Sequence, residues 1–360
     1  MDFIDLKAQQ DLIKDNININ IAKVLAHGHY VMGPEVYELE NKLAEYVGVK
    51  HCIGVSSGSD ALLIAMMALE IGPGDEVITT SFSFIATAEM IKILGAKPVF
   101  IDIDSQTYNM DPQKISSAIT ANTKLILPVS LYGQCADMDA INAIAKFYNI
   151  PVLEDGAQSF GATYNDKKSC NLSIIGCTSF FPSKTLGGYG DGGAIFTNDE
   201  CLAKVMREIR VHGQDRRYSH TRLGINGRLD TIQAAILLAK FEIFPDEIGT
   251  RNKIGKKYTA CINELQSTIV TPKIHHNCTT VYAQYSIMVN DREQLMSKLK
   301  KIGIPTIIHY PVPLYLQKQF YSAKFTLPNV DKVAQKIVSL PMHPYLSSKD
   351  IEKVTQALIL

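Results

Sequence analysis

The sequence has no excess of charge of either sign. Its 360 residues include 36 Lys and Arg and 36 Asp and Glu, so the formal net charge at pH 7 is zero. Proteins that bind nucleic acids or membrane surfaces usually carry a basic excess, and we therefore expect neither as a partner. Small anions remain possible ligands, because a few local arginines can bind them without a global bias.

Paired cysteines and long apolar runs are also absent from the sequence. The seven cysteines are odd in number and none has CxxC spacing, which argues against a disulfide framework or a zinc ribbon. No apolar run reaches the roughly 18 residues of a membrane helix. Residues 1–16 lack the apolar segment of a secretory signal. We expect a cytoplasmic protein with reduced thiols and no membrane span.

An alternation of apolar runs with amphipathic segments fills residues 52–200. It predicts a mostly parallel sheet flanked by helices, which is an α/β fold. The predicted strands are 52–57, 75–80, 97–103, 124–132, 150–155, 176–181 and 192–197. The predicted helices are 59–70, 84–94, 111–119 and 137–148. A further long helix is predicted to start near Arg228 and to continue past Pro245 in a broken form.

The pattern changes after about residue 265. Segments 281–289 and 305–312 alternate like half-buried antiparallel strands, and helices are predicted near 329–339 and 348–358. We expect a large domain over 1–245 and a smaller C-terminal α+β domain over 246–360. An N-terminal arm of about 1–30, with a helix at about 6–26, is expected to pack on the small domain.

Two residues carry most of the chemical information. Asp155 ends the apolar run "PVLED", where the carboxyl end of a strand is expected, and Lys184 follows 29 residues later in a loop of small residues. An aldehyde cofactor with a pyridine ring needs a lysine that holds it as a Schiff base and a carboxylate that keeps its ring nitrogen protonated. The pair predicts catalytic roles for both residues and pyridoxal 5'-phosphate (PLP) as the cofactor.

A phosphate site is predicted at the start of the helix that follows the first strand. The backbone N–H groups of Gly58, Ser59 and Asp60 would face the anion at the helix N-terminus. Taken alone, these residues are better interpreted as a plain helix N-cap. The presence of Asp155 and Lys184 in the same sequence favours the phosphate site instead.

Three more side chains are candidates for cofactor contacts. Ser179 could donate another hydrogen bond to the phosphate, and Gln158 could reach the ring oxygen of the cofactor. Phe84 opens a helix at the end of another strand and could stack on a flat ring. Core packing for Phe84 and a structural amide for Gln158 are the alternatives.

Two apparent motifs have simpler explanations. Gly188, Gly190 and Gly193 fit G-x-G-x-x-G, but a strand follows them where a dinucleotide-binding motif requires a helix. The histidine pairs 27/29 and 275/276 lack further ligands, so we expect no metal site.

Longer segments resemble a known family. "EDGAQSFGA", "SFFPSKTLGGYGDGGAIFTN", "GINGRLDTIQAAIL" and "SSGSDAL" are similar to the DegT/DnrJ/EryC/StrS sugar aminotransferases, which are PLP-dependent enzymes of fold type I. The resemblance covers nearly the whole chain. "LYGQCADMDAINAIA", "CNLSIIGCTSFFPSK" and "RVHGQDRRYSH" resemble one branch more closely. Its members aminate UDP-2-acetamido-2-deoxy-3-oxo-glucuronate for bacterial surface polysaccharides such as O-antigen.

The resemblance implies roles for the candidate residues at the cofactor. Lys184 would form the Schiff base, Asp155 would pair with the pyridine nitrogen, and Gln158 and Phe84 would lie against the ring. The phosphate would be held by Ser59, by the Asp60 backbone and by Ser179.

Other implied roles extend beyond one chain. Asn226 would reach the phosphate from the neighbouring subunit, so the active sites would be shared within a homodimer. Arg228, His309 and Tyr310 would contact the sugar nucleotide. Glutamate is the expected amino donor, with 2-oxoglutarate as its product.

Two alternatives remain open at this point. Within the family, the enzyme could be a C4-aminotransferase that acts on a neutral dTDP- or UDP-4-keto-sugar, since the cofactor motifs do not distinguish the sugars. Outside catalysis, the chain could be a regulator with a PLP-enzyme fold. Such regulators usually carry a fused DNA-binding module, and the sequence has no spare basic domain for one.

Overall fold

The computed structural model describes residues 1–265, 268–321 and 326–358. The helices are α1 (Leu6–His27), α2 (Pro34–Val47), α3 (Gly58–Ala68), α4 (Ala86–Ile93), α5 (Ile115–Ala118), α6 (Met138–Tyr148), α7 (Glu200–Arg210), α8 (Thr231–Glu264), α9 (Arg292–Lys301), α10 (Pro328–Lys336) and α11 (Ser348–Ala357). The strands are β1 (His51–Val55), β2 (Glu76–Thr80), β3 (Lys97–Ile101), β4 (Thr123–Leu127), β5 (Leu153–Asp155), β6 (Thr163–Tyr164), β7 (Lys167–Lys168), β8 (Ile175–Ser179), β9 (Gly193–Thr197), β10 (Gln214–Arg216), β11 (Ser219–His220), β12 (Tyr285–Met288) and β13 (Ile337–Leu340).

A central sheet runs through the large part of the chain. Its two hydrogen-bonded groups have the orders β1-β9-β8-β5 and β3-β2-β4. Parallel bridges join Ile126 to Val152 and Val129 to Asp155, so β5 lies beside β4 and the two groups form one sheet. Only β9 runs antiparallel to its neighbours, and the other adjacent strands of this sheet are parallel. The predicted α/β class with a mostly parallel sheet is confirmed.

Helices cover both faces of this sheet, and the alternation within β9 shows why. Ile195 packs with Ile64 of α3 and Met206 of α7 in one buried cluster. Phe196, the next residue, packs on the opposite side with Leu43 of α2. Successive side chains of a strand point to opposite faces, so a strand buried on both sides is apolar throughout. In the part of the chain that is described, no helix is long and apolar enough to cross a membrane.

The prediction of a broken helix at Pro245 is wrong. Helix α8 continues without interruption from Thr231 to Glu264 and contains Pro245. An interior proline removes one backbone hydrogen bond and costs about 3 kcal/mol. Packing outweighs that cost, because α8 packs against α1, α2 and α11.

The C-terminal part is α+β as predicted, but two of its elements differ. Strand β12 pairs with β13, and β13 occupies residues 337–340, where the end of a helix was predicted. Within the part of the chain that the structure describes, the segment 305–312 makes only an isolated bridge, between Ile307 and Ser339, so the predicted strand there is wrong. Helices α2, α7 and α9 were not predicted from the sequence.

The N-terminal arm contacts both parts of the chain. Ile13 and Ile17 of α1 pack against Ile236 of α8, within the part assigned to the large domain. Nearer the start of the chain, the Phe3 carbonyl oxygen accepts a hydrogen bond from the Met342 N–H at 3.1 Å. The proposed boundary at 245 falls inside α8, and the division into two domains stays a prediction.

A buried ion pair fixes the edge strand that leads to the predicted phosphate site. Arg210 of α7 donates to Glu40 of α2 at 2.6 Å and to the Gly54 carbonyl oxygen at 2.8 Å. The same Glu40 oxygen accepts the Gly54 N–H at 2.8 Å. Both charged side chains are at most 7% exposed, so β1 is held between two helices by a desolvated pair.

We expect Glu40→Ala to lower the free energy of unfolding by about 3–5 kcal/mol, because it leaves the buried Arg210 without its counter-ion. Urea unfolding followed by circular dichroism measures the change. The matched control is Glu38→Ala on the same helix, which breaks an exposed pair with Lys42 and should cost less than about 1 kcal/mol. Equal losses in the two variants would contradict a special role for the buried pair.

Candidate active site

The predicted site residues gather at one edge of the sheet. Strands β1, β5 and β8 run in the same direction, because β9 is antiparallel to both β1 and β8, and β5 is parallel to β8. Their carboxyl ends carry the loop at Ser57, the carboxylate of Asp155 and the hydroxyl of Ser179. Ligand sites of parallel sheets are expected at this edge, and the structure brings these three positions together there.

Asp155 is a buried carboxylate with two hydrogen bonds. Thr87 donates its hydroxyl to Oδ2 at 2.8 Å, and the Ala157 N–H donates to Oδ1 at 3.1 Å. Burial raises the pKa of Asp155 above its usual value, and the hydrogen bonds and the nearby charge of Lys184 oppose that rise. A cation placed beside Asp155 would therefore find a desolvated, oriented acceptor.

Lys184 is half-buried in the turn after β8. Its backbone N–H donates to the Phe181 carbonyl oxygen at 2.8 Å. Burial lowers the pKa of Lys184, and the charge of Asp155 opposes this change. Within the described residues the Lys184 ammonium group has no hydrogen-bond acceptor. A lysine with a lowered pKa and no partner is available as a nucleophile.

Glycines let the backbone come close beside these two groups. A Cβ atom on Gly58 would lie 2.6 Å from the Ser179 Cβ, and one on Gly193 would lie 2.5 Å from the Ser57 carbonyl oxygen. Any side chain at Gly58 would therefore push Ser179 away. The start of α3 and the end of β8 are in direct contact, which places the Ser179 hydroxyl next to the first turn of a helix.

The start of α3 keeps some donors free and uses others. Ser56 and Ser57 donate hydroxyl hydrogen bonds to the Asp60 carboxylate at 2.5 and 3.0 Å, and the Asp60 N–H donates to the Ser57 hydroxyl at 3.0 Å. The N–H groups of Gly58 and Ser59, in the first turn, have no acceptor within the helix. The predicted use of the Asp60 N–H for phosphate would compete with this N-cap.

Gln158 and Tyr310 form the next part of the site. Gln158 is buried, accepts the Tyr132 N–H at 3.0 Å and donates to the Tyr310 hydroxyl at 3.1 Å. Burial raises the pKa of Tyr310 far above its usual value, so the phenol stays protonated. Phe84 is 54% exposed, and its ring centroid lies 6.3 Å from that of Tyr310. An exposed aromatic ring at this edge is free to stack on a flat ligand.

His309 is a neutral imidazole next to Tyr310. Its Nδ1 lies 2.9 Å from the Ser339 hydroxyl. Burial lowers the pKa of His309 to about 4, and the charge of Lys184 lowers it as well. Both effects favour the neutral form of the imidazole.

Asn226 and Arg228 lie on a segment beside the first strand. The Gly227 carbonyl oxygen between them accepts the Ser56 N–H at 3.0 Å, and Arg228 forms a bridge with Val55. The Asn226 side chain is exposed, and that of Arg228 is half-buried with no ion pair among the described residues. The structure thus brings the segment to the site edge and leaves both side chains available.

The sequence did not single out Thr87, Tyr132 or Ser339, which all support these groups. Thr87 lies three residues after Phe84 in the first turn of α4, so its closeness to a predicted site residue was a usable signal. Tyr132 and Ser339 reach the site only through contacts over more than 20 residues in sequence, and the sequence carries no local signal for such contacts.

These groups fit pyridoxal phosphate. The unpartnered lysine follows β8, and the buried carboxylate ends the parallel strand β5, so both lie at the same edge of the sheet. The contact of Gly58 with Ser179 places a serine hydroxyl beside the N-terminus of a helix, where an anion can bind. The exposed ring of Phe84 offers a surface for stacking. A lysine for an imine, an acceptor for a protonated ring nitrogen and a phosphate cradle are the three needs of this cofactor.

Two known proteins are similar in sequence to this chain over nearly its whole length. The chain is 57% identical, over 99% of both lengths, to the UDP-2-acetamido-2-deoxy-3-oxo-D-glucuronate aminotransferase of Pseudomonas aeruginosa. It is also 45% identical to a protein named pleiotropic regulatory protein from Geobacillus stearothermophilus, over 99% of this chain and 96% of that protein.

Solved structures agree with these relatives. A DegT DnrJ EryC1 StrS aminotransferase from Brucella abortus matches with a TM-score of 0.96 and 42% identity, over 99% of this chain and 98% of that one. The NtdA protein of Bacillus subtilis, solved with the bound cofactor PMP, matches with a TM-score of 0.91 and 32% identity over 96% of this chain and 81% of that one.

The fold and these relatives define a PLP-dependent sugar aminotransferase of fold type I. The model of one family, the DegT/DnrJ/EryC1/StrS aminotransferases, matches residues 11–359. The chain belongs to this family, as its motifs predicted.

Burial of Asp155 yields a prediction on pH and stability. The folded-state pKa of Asp155 is raised, so its contribution to stability is greatest below about pH 4, the usual aspartate pKa, and is lost as the pH rises through the folded-state value. The asparagine of Asp155→Asn cannot ionise, so the variant does not lose this contribution as the pH rises. In the cofactor-free protein we therefore expect the melting temperature of the variant minus that of wild type to increase from pH 4 to pH 8.

The same substitution should weaken the binding of pyridoxal phosphate by about 10- to 100-fold, because it removes one charged hydrogen bond. Scanning calorimetry and equilibrium dialysis measure the two effects. The control is Asp15→Asn on the exposed face of α1, which should change neither. An Asp155→Asn protein that is less stable than wild type at pH 8 would contradict the desolvation argument.

Proposed function

We propose that this enzyme transfers an amino group from glutamate to UDP-2-acetamido-2-deoxy-3-oxo-glucuronate in the cytoplasm, in the biosynthesis of a bacterial surface polysaccharide such as O-antigen. The substrate is supported by the Pseudomonas aeruginosa relative of that name, which matches at 57% identity over nearly the whole length of both chains. The observation that carries the chemistry is the unpartnered Lys184 beside the buried carboxylate of Asp155.

Lys184 is proposed to hold the cofactor and to move the substrate proton. When bound, pyridoxal phosphate supplies an electron sink for the carbanion formed at the amino-bearing carbon. Released Lys184 would take the proton from that carbon as a general base and, as a general acid, would deliver it to the cofactor carbon that carried the aldehyde. Because burial lowers the pKa of Lys184, a larger fraction of the amine is unprotonated near neutral pH than in water.

Asp155 is proposed to keep the ring nitrogen protonated. The hydroxyl of Thr87 and the N–H of Ala157 each donate to one oxygen of the carboxylate, which fixes its orientation. A charge-assisted hydrogen bond in this dry environment is about twice as strong as a neutral one. Gln158 donates a hydrogen bond to the Tyr310 hydroxyl and so orients a residue that is proposed to contact the substrate.

Glutamate and the sugar acid must use the same site in turn, and both carry a carboxylate. Arg228 is the proposed partner for that carboxylate, since its guanidinium has no ion pair among the described residues and can bind a carboxylate through two hydrogen bonds. His309 and Tyr310 are proposed to contact the sugar nucleotide. The Tyr310 hydroxyl accepts a hydrogen bond from Gln158, which is itself proposed to lie at the cofactor, and His309 is the preceding residue.

A homodimer with shared active sites is part of the proposal. Asn226 is exposed at the site edge and is proposed to reach the cofactor phosphate of the neighbouring subunit. Phe181, three residues before Lys184, leaves its ring 51% exposed on the same edge. A second copy that covered this edge would exclude water from the cofactor and complete its phosphate site.

Two other functions remain as alternatives. A neutral 4-keto-sugar nucleotide would use the same cofactor residues. It has no carboxylate for Arg228 to bind, so only the contacts with the sugar would differ. A regulatory role is favoured by one observation, the 45% identity to a protein named pleiotropic regulatory protein. The chain nevertheless keeps Lys184, Asp155 and their supporting hydrogen bonds, which a protein without catalysis would not need.

The proposed function makes a prediction on both half-reactions of the purified enzyme. We expect a visible absorbance band that glutamate bleaches and that the 3-keto uronic acid nucleotide restores. Lys184→Ala should lack the lysine-dependent band and lose at least about 1,000-fold in turnover, because it removes both the covalent link and the general acid/base. Stopped-flow absorbance spectroscopy measures each half-reaction.

The control is a panel of neutral UDP- and dTDP-4-keto-sugars under the same conditions. Restoration of the band by the neutral sugars, and not by the uronic acid, would replace the proposed substrate. A protein that takes up no pyridoxal phosphate would overturn the catalytic proposal and favour the regulatory role.

A mixture of two variants tests whether the active sites are shared between subunits. We expect Lys184→Ala and Asn226→Ala homodimers each to be impaired, and their mixture, unfolded and refolded together, to recover activity. Half of the random dimers are hybrids with one intact site out of two, so about a quarter of the wild-type activity should return. Recovery requires that Asn226 serves the partner's cofactor, whereas an Asn226 that serves its own chain would give no recovery.

A further inference from the structure

The glycines that imitate a dinucleotide-binding motif make room for a side chain of helix α8. A Cβ atom on Gly188 would lie 2.8 Å from the Gln233 Oε1, and one on Gly190 would lie 3.0 Å from the Gln233 Nε2. Tyr189, the residue between the two glycines, donates its N–H to the Gln233 Oε1 at 2.8 Å. The amide group of Gln233 therefore lies directly against the backbone of residues 188–190, which is possible only without side chains at both glycines.

A second residue of α8 contacts the side chain of Tyr189. The Lys240 ammonium group lies 4.3 Å from the centroid of the Tyr189 ring. Lys240 is 1% exposed, and its ammonium group has no hydrogen-bond partner among the described residues. Burial lowers the pKa of Lys240 to about 8, so most of this group is charged at pH 7, and an aromatic face stabilises a desolvated cation. Gln233 and Lys240 are seven residues apart, so they lie on the same face of α8.

The turn that these two residues contact belongs to a closed loop that contains Lys184. Phe180, directly after β8, accepts the Gly188 N–H at 2.8 Å and donates its own N–H to the Gly192 carbonyl oxygen at 2.7 Å. Inside this loop, the Lys184 N–H donates to the Phe181 carbonyl oxygen at 2.8 Å. Because the loop is closed on Phe180, a displacement of its second half would also move the lysine.

We propose that Gln233 and Lys240 are positioning residues that hold Tyr189, and that the loop they anchor keeps the Lys184 amine within reach of the cofactor aldehyde. No hydrogen bond fixes the Lys184 ammonium group within the described residues, so the backbone of the loop has to set its position. The inference rests on the proposed role of Lys184 in holding the cofactor.

The first test measures the anchor itself. In the full-length enzyme labelled with nitrogen-15 tyrosine, the amide signal of Tyr189 is assigned by its absence in Tyr189→Phe. We expect hydrogen exchange of this amide to be about 3- to 10-fold faster in Gln233→Ala, because one hydrogen bond is lost. Gln233→Glu keeps an oxygen acceptor and should exchange at the wild-type rate. Unchanged exchange in Gln233→Ala would overturn the proposal.

The second test separates the position of the lysine from the integrity of the rest of the site. Full-length protein freed of cofactor is mixed either with pyridoxal phosphate or with an analogue in which a methyl group replaces the aldehyde. Gln233→Ala should slow the covalent capture of pyridoxal phosphate, followed by visible absorbance, by about 10- to 100-fold. It should bind the analogue as tightly as wild type does, because the analogue forms no bond with Lys184. Equal weakening with both compounds would indicate general damage and overturn the proposal.

The matched control is Asn252→Ala. Asn252 also lies in α8 and donates a side-chain hydrogen bond to the Thr280 carbonyl oxygen at 2.7 Å. It is 19 residues from Gln233, which is roughly 28 Å along the helix. The variant should lose a side-chain hydrogen bond of α8 without any change in cofactor capture. Equal slowing of capture in Asn252→Ala and Gln233→Ala would refute a specific role for Gln233.

Two variants of Tyr189 cover the case in which Gln233→Ala does not fold. The Tyr189 hydroxyl has no hydrogen-bond partner among the described residues, so Tyr189→Phe should capture the cofactor at the wild-type rate. Tyr189→Leu removes the aromatic face next to Lys240 and should slow capture by about 3-fold or more. Equal rates in the two variants would overturn the role of Lys240.

Failure of this inference can be distinguished from failure of the proposed function. Borohydride reduction of the wild-type holoenzyme, followed by mass spectrometry, should find the cofactor attached to Lys184. Attachment elsewhere, or none, would refute the proposed role of Lys184 itself. Attachment to Lys184 together with normal capture by Gln233→Ala would refute only the role of the anchor.

Discussion

The active site depends on a carboxylate and an amine that are both desolvated and that form no ion pair with each other. Burial raises the pKa of Asp155 and lowers that of Lys184, so desolvation favours the neutral form of each. Their mutual attraction opposes both shifts, but the described lysine forms no hydrogen bond that would satisfy it. This imbalance suits a ligand that joins covalently to the amine and carries a positive charge to the carboxylate, because binding then relieves both costs.

The sheet makes this arrangement possible by bringing distant segments to one edge. The ion pair of Glu40 with Arg210 sets the position of β1, and the absence of a side chain at Gly58 lets the start of α3 touch Ser179 at the end of β8. The hydrogen bond from Thr87 to Asp155 links β5 to the helix after β2. Each contact joins residues that lie at least 68 positions apart, except that Glu40 and Gly54 are 14 apart.

The sequence was sufficient for the residues whose role follows from local position. Asp155 at a strand end and Lys184 among small residues could be predicted, as could the α/β class. The continuous helix at Pro245 could not be predicted, because the packing of α8 against its neighbours outweighs the tendency of proline to break a helix. Segment 305–312 has the alternation of a strand, yet among the described residues it pairs only through the bridge at Ile307. Tyr132 and Ser339 act through contacts between distant elements, for which a single sequence gives no signal.

The same distinction explains why the cofactor is easier to deduce than the sugar. The cofactor groups lie at or next to strand ends of the central sheet, where strand position alone fixes them and short motifs record them. The groups assigned to the sugar lie elsewhere: Arg228 on an irregular segment, and His309 on an irregular segment that is oriented by Ser339 of β13. The His309 ring contacts a hydroxyl group of a distant strand, and Arg228 lies outside the cofactor motifs, so a change of substrate needs no change in any cofactor motif. Substrate specificity in such a fold can therefore diverge while the residues around the cofactor stay the same.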